Sequence, residues 1–144
     1  VNKIAVLAED GVDVVDPASR ESVRISPERP DLRFQQPTWS PEADKIAYTE
    51  SVFGSLSMNY TVSIRLHDNG TVRIPTPFPA FYYSWAECGS VLSYLSNWDG
   101  RTVAMRIVDL KEQSLGRQSS EEPVAVTIMV GGPLFYCFAP DQYA

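Results

Sequence analysis

Residues 35–51 read QQPTWSPEADKIAYTES, a Trp-Ser-Pro turn set directly before a short apolar run. Proline fixes φ at about −65° in such a turn, and Ser or Asp side chains bond the local backbone. Lys45–Glu50 is short, mixes aromatic and aliphatic side chains and is bounded by turn formers, which reads as a strand. The same succession returns as WAECGSVLSY at residues 85–94 and opens again as FAPD at residues 138–141. The aromatic residues at 39, 85 and 138 are 46 and then 53 positions apart. A self-similar period of this size is the mark of a repeat architecture.

Within each period the signal is β. YTVSIRL, RTVAMRIVDL and VAVTIMV are rich in β-branched residues, which suit a pleated surface. No window carries a capped 3.6-residue apolar stripe, so little or no helix is expected. Asp10-Gly11, Asn69-Gly70 and Asp99-Gly100 read as type I′ hairpin turns. The first full repeat is expected to hold strands at 36–40, 45–50, 60–66 and 71–75. The second is expected at 81–86, 91–96, 102–109 and either 112–117 or 124–130. Three strands of an earlier repeat precede them at 3–8, 12–16 and 22–26, and one first strand follows at 134–139.

A four-stranded antiparallel sheet cannot bury both faces by itself. Stacking such sheets radially solves this, so the expected fold is all-β, with β-propeller blades in an incomplete ring. Coverage on both faces explains why the second strand of each repeat is almost continuously apolar. Trp39, Tyr48, Trp85, Tyr94 and Phe138 are the expected structural anchors, with the two indoles between successive blades. The blades divide as 1–34, lacking its innermost strand; 35–77 and 78–132, both complete; and 133–144, the first strand of a further blade. Three blade-equivalents are too few for a ring of four to eight. The count reads as a piece of a longer chain. A second reading joins two copies into a six-bladed ring, with Phe135–Phe138 of one beside Lys3–Leu7 of the other.

WSPEADKIAY resembles the W-S-P-D-G-x-x-I-A-Y signature of TolB-type, WD-like propeller repeats. FYYSWAECGSVLSYLSNWDGRTVAMRIVDL is similar to a whole blade of that family. Ala43 stands where the signature has glycine, and Ala86-Glu87-Cys88 replaces Ser-Pro-Asp. These departures predict turns that are looser or differently shaped. The resemblance implies an extracytoplasmic bacterial setting, periplasmic or secreted. It is specific for architecture and says little of function.

The chain has 144 residues, 44% hydrophobic and 21% charged, with a formal net charge of −6. That is the composition of an ordinary globular domain. An acidic surface repels phosphate backbones, so neither nucleic acid nor an anionic membrane is an expected partner. No apolar run approaches the roughly 20 residues of a spanning helix. Cys88 and Cys137 are far apart, and His67 is the sole histidine, so no zinc site is expected. Asp10, Asp13 and Asp16 do not follow the spacing of an EF-hand loop and read as structural. Neither a nucleophile elbow nor a phosphate-cradling glycine loop is present. No catalytic residue, metal or cofactor is therefore assigned.

The expected function is a non-enzymatic scaffold for a protein or peptide. Its candidate binding residues are Phe53, Phe78, Phe81, Trp98 and Asp99. Tyrosine, tryptophan and phenylalanine suit interface cores, and loops carry function more often than strands do. Open strand edges also invite self-association. The alternative is a propeller lid of a prolyl-oligopeptidase-like hydrolase whose catalytic domain lies outside this chain. A carbohydrate-acting propeller is a further reading, but paired carboxylates are not evident.

Overall fold

The computed structural model describes residues 2–53, 58–68, 70–111, 123–132 and 138. It is all-β, with 61% of these residues in strands. The first sheet joins β1 (Ile4–Ala8), β2 (Gly11–Val15) and β3 (Ser22–Arg24). The second joins β4 (Leu32–Trp39), β5 (Lys45–Phe53), β6 (Met58–Leu66) and β7 (Thr71–Thr76). The third joins β8 (Ala80–Trp85), β9 (Val91–Asn97), β10 (Val103–Asp109) and β11 (Val126–Gly131). All pairs are antiparallel, and each sheet runs in chain order from one edge to the other. No sheet closes into a barrel. β11 takes the later of the two expected positions; 112–117 lies outside the described residues. Of the expected strand at 134–139 only Phe138 is described, half-buried and in no regular element.

The second sheet is covered on both faces. Side chains alternate along β5, so Ile46 and Tyr48 turn toward the first sheet and Ala47 toward the third. Ile46 and Tyr48 join Val12, Leu32 and Phe34 in one core, against which Trp39 and Ala5 rest. Ala47, Val62 and Ile64 join Trp85, Leu92, Tyr94 and Val108 in the other. Every residue from Lys45 to Ser51 is buried in consequence. The rings of Phe34 and Tyr48 meet edge to face, with centroids 6.0 Å apart.

β4 begins at Leu32, four residues before the expected start. Leu32 and Phe34 point inward, while Arg33 and Gln35 between them are exposed. Its register shifts between Gln35 and Thr38, so Gln36 and Pro37 together oppose Tyr48. β8 repeats the irregularity: Tyr82 and Tyr83 together oppose Tyr94. Both are β-bulges, and the bulge is what admits a proline into the strand. Gln36 (φ 53°) and Tyr82 (φ 55°) occupy corresponding positions in the left-handed region.

The two bulges are tied together. The Tyr82 amide donates to Gln36 Oε1 at 3.0 Å, and the Trp85 indole N–H donates to the Thr38 carbonyl at 3.3 Å. Thr49 Oγ1 donates to the Ala80 carbonyl at 2.9 Å and meets Tyr83 Oη at 2.6 Å. The second and third sheets are therefore joined by directional bonds as well as by apolar contact.

The two Trp-initiated turns have the same shape, against the expectation of looser or different ones. The Ala43 amide donates to the Ser40 carbonyl, and the Gly89 amide to the Ala86 carbonyl, both at 2.9 Å. Ala43 keeps φ at 55° where Gly89 has 65°. Ser40 compensates: its hydroxyl donates to Asp44 and accepts from the Lys45 amide.

The hairpins depart from the expected I′ type. The β1–β2 turn is Glu9-Asp10, neither with positive φ, and Gly11 is already paired in β2. Gly11 is there for space: an added Cβ would lie 2.5 Å from Arg24 Nη1 and 2.6 Å from Ser26 Oγ. Between β9 and β10 the Trp98 amide bonds the Thr102 carbonyl, and only Gly100 has positive φ. Asn69 lies outside the described residues.

Trp85 is 9% exposed and Trp39 is less deeply covered. Truncating a buried indole costs about 3–5 kcal/mol, so urea melts of Trp85→Ala are expected to show a loss in that range, with a smaller one for Trp39→Ala. A left-handed conformation costs an L-residue about 1–2 kcal/mol, and glycine loses more freedom on folding. Ala43→Gly is therefore expected to raise stability by up to about 1 kcal/mol in the same melts.

Candidate functional site

The β5–β6 and β9–β10 connections and the Pro77-Phe78-Pro79 crossing all leave the sheets at one end. Phe53 closes β5 there, paired with Met58 across the hairpin; residues 54–57 lie outside the described residues. Phe78 is half-buried in the crossing, and its carbonyl accepts a bond from Thr76 Oγ1 at 3.1 Å. Phe81 is half-buried on β8 opposite Leu95. Ala80 opposes Ser96, which sets Trp98 just beyond the same end of the adjoining strand.

Trp98 is 46% exposed. It stands on a turn that Asp99 organises. Asp99 Oδ1 accepts from the Arg101 amide at 2.9 Å, the Thr102 amide at 2.7 Å and Thr102 Oγ1 at 2.8 Å. The carboxylate is thus occupied in holding its own loop. Arg106, which opposes Tyr94, places its guanidinium carbon 5.9 Å from the centre of the Trp98 ring, within cation–π range. The guanidinium approaches the indole while nearly half of the residue stays exposed.

A second feature has no signal in the sequence. A cleft of about 340 Å³ opens between the first and second sheets at the opposite end. Trp39, Arg65 and His67 line it from the second sheet; Lys3, Asp16 and Glu21 line it from the first. Several of its charged groups are already engaged. Asp16 Oδ1 accepts from the Ala18 and Ser19 amides. Asp44 is held by Ser40 and Lys45, and Arg65 donates to Thr71 Oγ1. Burial works to raise the Asp44 pKa, but Lys45 and Ser40 outweigh it and the carboxyl is held below its ordinary value. The indole N–H of Trp39 is buried with no acceptor among the described residues.

The polar seams between sheets are equally silent in the sequence. Glu50, 2% exposed, bonds Arg73 Nη1 at 2.7 Å. Beside it burial pushes the Tyr48 phenol up to about 12, helped by the Glu50 charge. Tyr48, Glu50 and Ser63 keep buried polar atoms with no hydrogen-bond partner among the described residues, and so do Tyr94, Ser96 and Arg106 at the corresponding positions one sheet on. Such groups are invisible to pattern reading, because a strand covered on both faces shows no alternation that flags a polar residue as internal.

Asp10 and Asp13 pair with Arg24, and Asp16 caps a turn, so this acidic set is accounted for by structure. Among the described residues no group of three or more His, Cys, Asp or Glu side chains is placed to hold a metal ion. The Cys88 thiol is exposed and lies 3.2 Å from Ser90 Oγ. No protein-family model, curated protein or solved structure matches the chain.

The backbone amides of Arg101 and Thr102, and then the Thr102 hydroxyl, hold the Asp99 carboxyl below its ordinary value of 3.8. A depressed folded-state pKa contributes order that is present above the unfolded value and lost as pH falls through the folded one. In an NMR titration the Arg101 and Thr102 amide shifts are expected to move together with a midpoint below 3.8. A midpoint at or above that value would contradict the hydrogen-bonded turn.

Proposed function

We propose that the chain is part of a β-propeller of the TolB-type, WD-like kind, and that it serves as a non-enzymatic scaffold for a protein or peptide. The propeller reading is supported by the recurrence of one device: a left-handed bulge, a tryptophan three residues later, a tight turn, then a strand covered on both faces. The partner is gripped at the end that carries Phe53, Phe78, Phe81 and Trp98. The bacterial extracytoplasmic setting follows from the family resemblance.

One observation carries the binding reading. Trp98 is an indole left 46% exposed on a turn that three hydrogen bonds to Asp99 make rigid. A large amphipathic ring held in place loses little freedom on binding, and tryptophan and arginine are enriched among the residues that dominate interface energies. Asp99 acts by positioning Trp98, since its acceptor oxygen is already engaged.

The test is affinity capture with the wild-type chain and with Trp98→Ala, compared by quantitative mass spectrometry. Loss of a hot spot of about 2 kcal/mol or more weakens binding roughly 30-fold. A partner retained by the wild type and lost by Trp98→Ala, with the melting curve unchanged, is the expected result. Equal capture by both proteins, or by neither, overturns the proposal.

A further inference from the structure

We propose that the Trp98 end reads an acidic side chain of its peptide partner, an Asp or Glu carboxylate received by Arg106 beside the Trp98 ring. The inference rests on the binding role proposed above for that end, and adds the chemistry of the partner.

Three arginines of the protein are matched with carboxylates. Arg24 pairs with Asp10 and Asp13, Arg29 with Asp31 and Arg73 with Glu50. Arg106 is half-buried and makes no ion pair among the described residues. Its Nε is buried with no hydrogen-bond partner there. A guanidinium taken partly out of water and left unmatched is costly. Its carbon lies 5.9 Å from the centre of the Trp98 ring. Burial pushes the Tyr94 phenol up, and the Arg106 charge works against that push. The cation is therefore near both rings.

The second and third sheets differ at this row. Tyr48 opposes Ser63, and Ser63 opposes Arg73. One sheet on, Tyr94 opposes Arg106, and Arg106 opposes Thr127. Two residues beyond each tyrosine stand Glu50 and Ser96. Residues opposed across strands, or two apart along one, share a face. Each group thus lies on the face turned toward the sheet before it. The second sheet holds both charges, with Arg73 Nη1 donating to Glu50 at 2.7 Å. The third holds the cation one strand further in, and a serine where the carboxylate stands. Ser96 is fully buried, and its Oγ has no partner among the described residues. A carboxylate arriving from outside completes in the third sheet the charge pair that the second sheet makes from its own residues.

Trp98 follows Tyr94 and Ser96 in the same alternation, just past the end of β9, and is 46% exposed. A peptide that covers the indole with an apolar side chain brings a neighbouring acidic one to the guanidinium, whose planar fork matches a carboxylate. A C-terminal carboxylate is not the occupant. Such groups are taken by backbone amides, and Asp99 already holds the Arg101 and Thr102 amides of this turn. The formal net charge of −6 opposes an acidic peptide at long range, so recognition is by contact and not by steering.

The probe is a phage-displayed library of random linear peptides selected on the full chain. Selected peptides are then made N-acetylated and C-amidated and titrated by calorimetry. They are expected to share an acidic residue. Changing it to its amide removes one side of a hydrogen-bonded charge pair, which weakens binding roughly 30-fold or more. With Arg106→Gln the acidic and amide forms are expected to bind alike, whereas Arg106→Lys keeps part of the preference. The comparison of acid with amide on the wild type needs no variant, so a folding defect in Arg106→Gln does not obscure it. No selected peptide, no shared acidic residue, an acid preference unchanged by Arg106→Gln, or binding that needs a free C-terminus overturns the proposal. Peptides that lack the acidic residue and are still lost by Trp98→Ala overturn this inference and leave the binding role of Trp98 standing. Binding indifferent to Trp98→Ala overturns both.

Discussion

The second sheet is covered on both faces by its neighbours, and its stability rests on that cover. The contact that fixes how they meet is the Trp85 indole, which lies in the core between the second and third sheets and donates to the Thr38 carbonyl. Apolar burial supplies most of the driving force and has no preferred direction. The hydrogen bond supplies direction, because it is satisfied at one mutual placement of two strands. The second bond, from the Tyr82 amide to Gln36, fixes that placement at another point on the same pair of strands. Removing the indole leaves a cavity and also breaks that directional bond, which is why so much depends on one side chain.

The bulges follow from the same constraint. Two residues of β4 must pass one large residue of β5, Tyr48, and two of β8 must pass Tyr94. The extra residue turns the edge strand so that the following tryptophan faces the preceding sheet. The left-handed conformation at Gln36 and Tyr82 is costly for side chains with a Cβ. It is held by the inter-sheet bonds that the same residues make, so strain and cohesion sit at the same positions.

Much of this is legible without any coordinates. The tryptophans, the doubly covered second strands and the grouping of strands into three, four and four are written in apolar patterning and turn formers. The start of β4 is not, because Arg33, Gln35, Gln36 and Pro37 look like a loop, and only the bulge explains how they lie in a strand. The turn types differ from expectation because Asp-Gly pairs are compatible with several turns; Gly11 is selected by the proximity of Arg24, and Gly100 by a longer Asx-type loop. The equal shape of the two Trp-initiated turns is hidden too, since Ala43 adopts a glycine-like conformation that its identity disfavours. Of the candidate site, the exposed indole of Trp98 is readable, whereas the role of Asp99 as its support depends on oxygen positions that no sequence pattern specifies.

The bond from the Tyr82 amide to Gln36 Oε1 ties the third sheet to the second. The third sheet thus takes its orientation from the second, as one tread of a staircase does from the tread before it. A residue inserted between the β8 bulge and Trp85 would rotate that step against the second sheet. The same insertion in the β5–β6 hairpin would leave all treads where they are. Length changes are therefore absorbed at the hairpin ends, while β4 and β8 act as the gauge that sets how the second and third sheets meet.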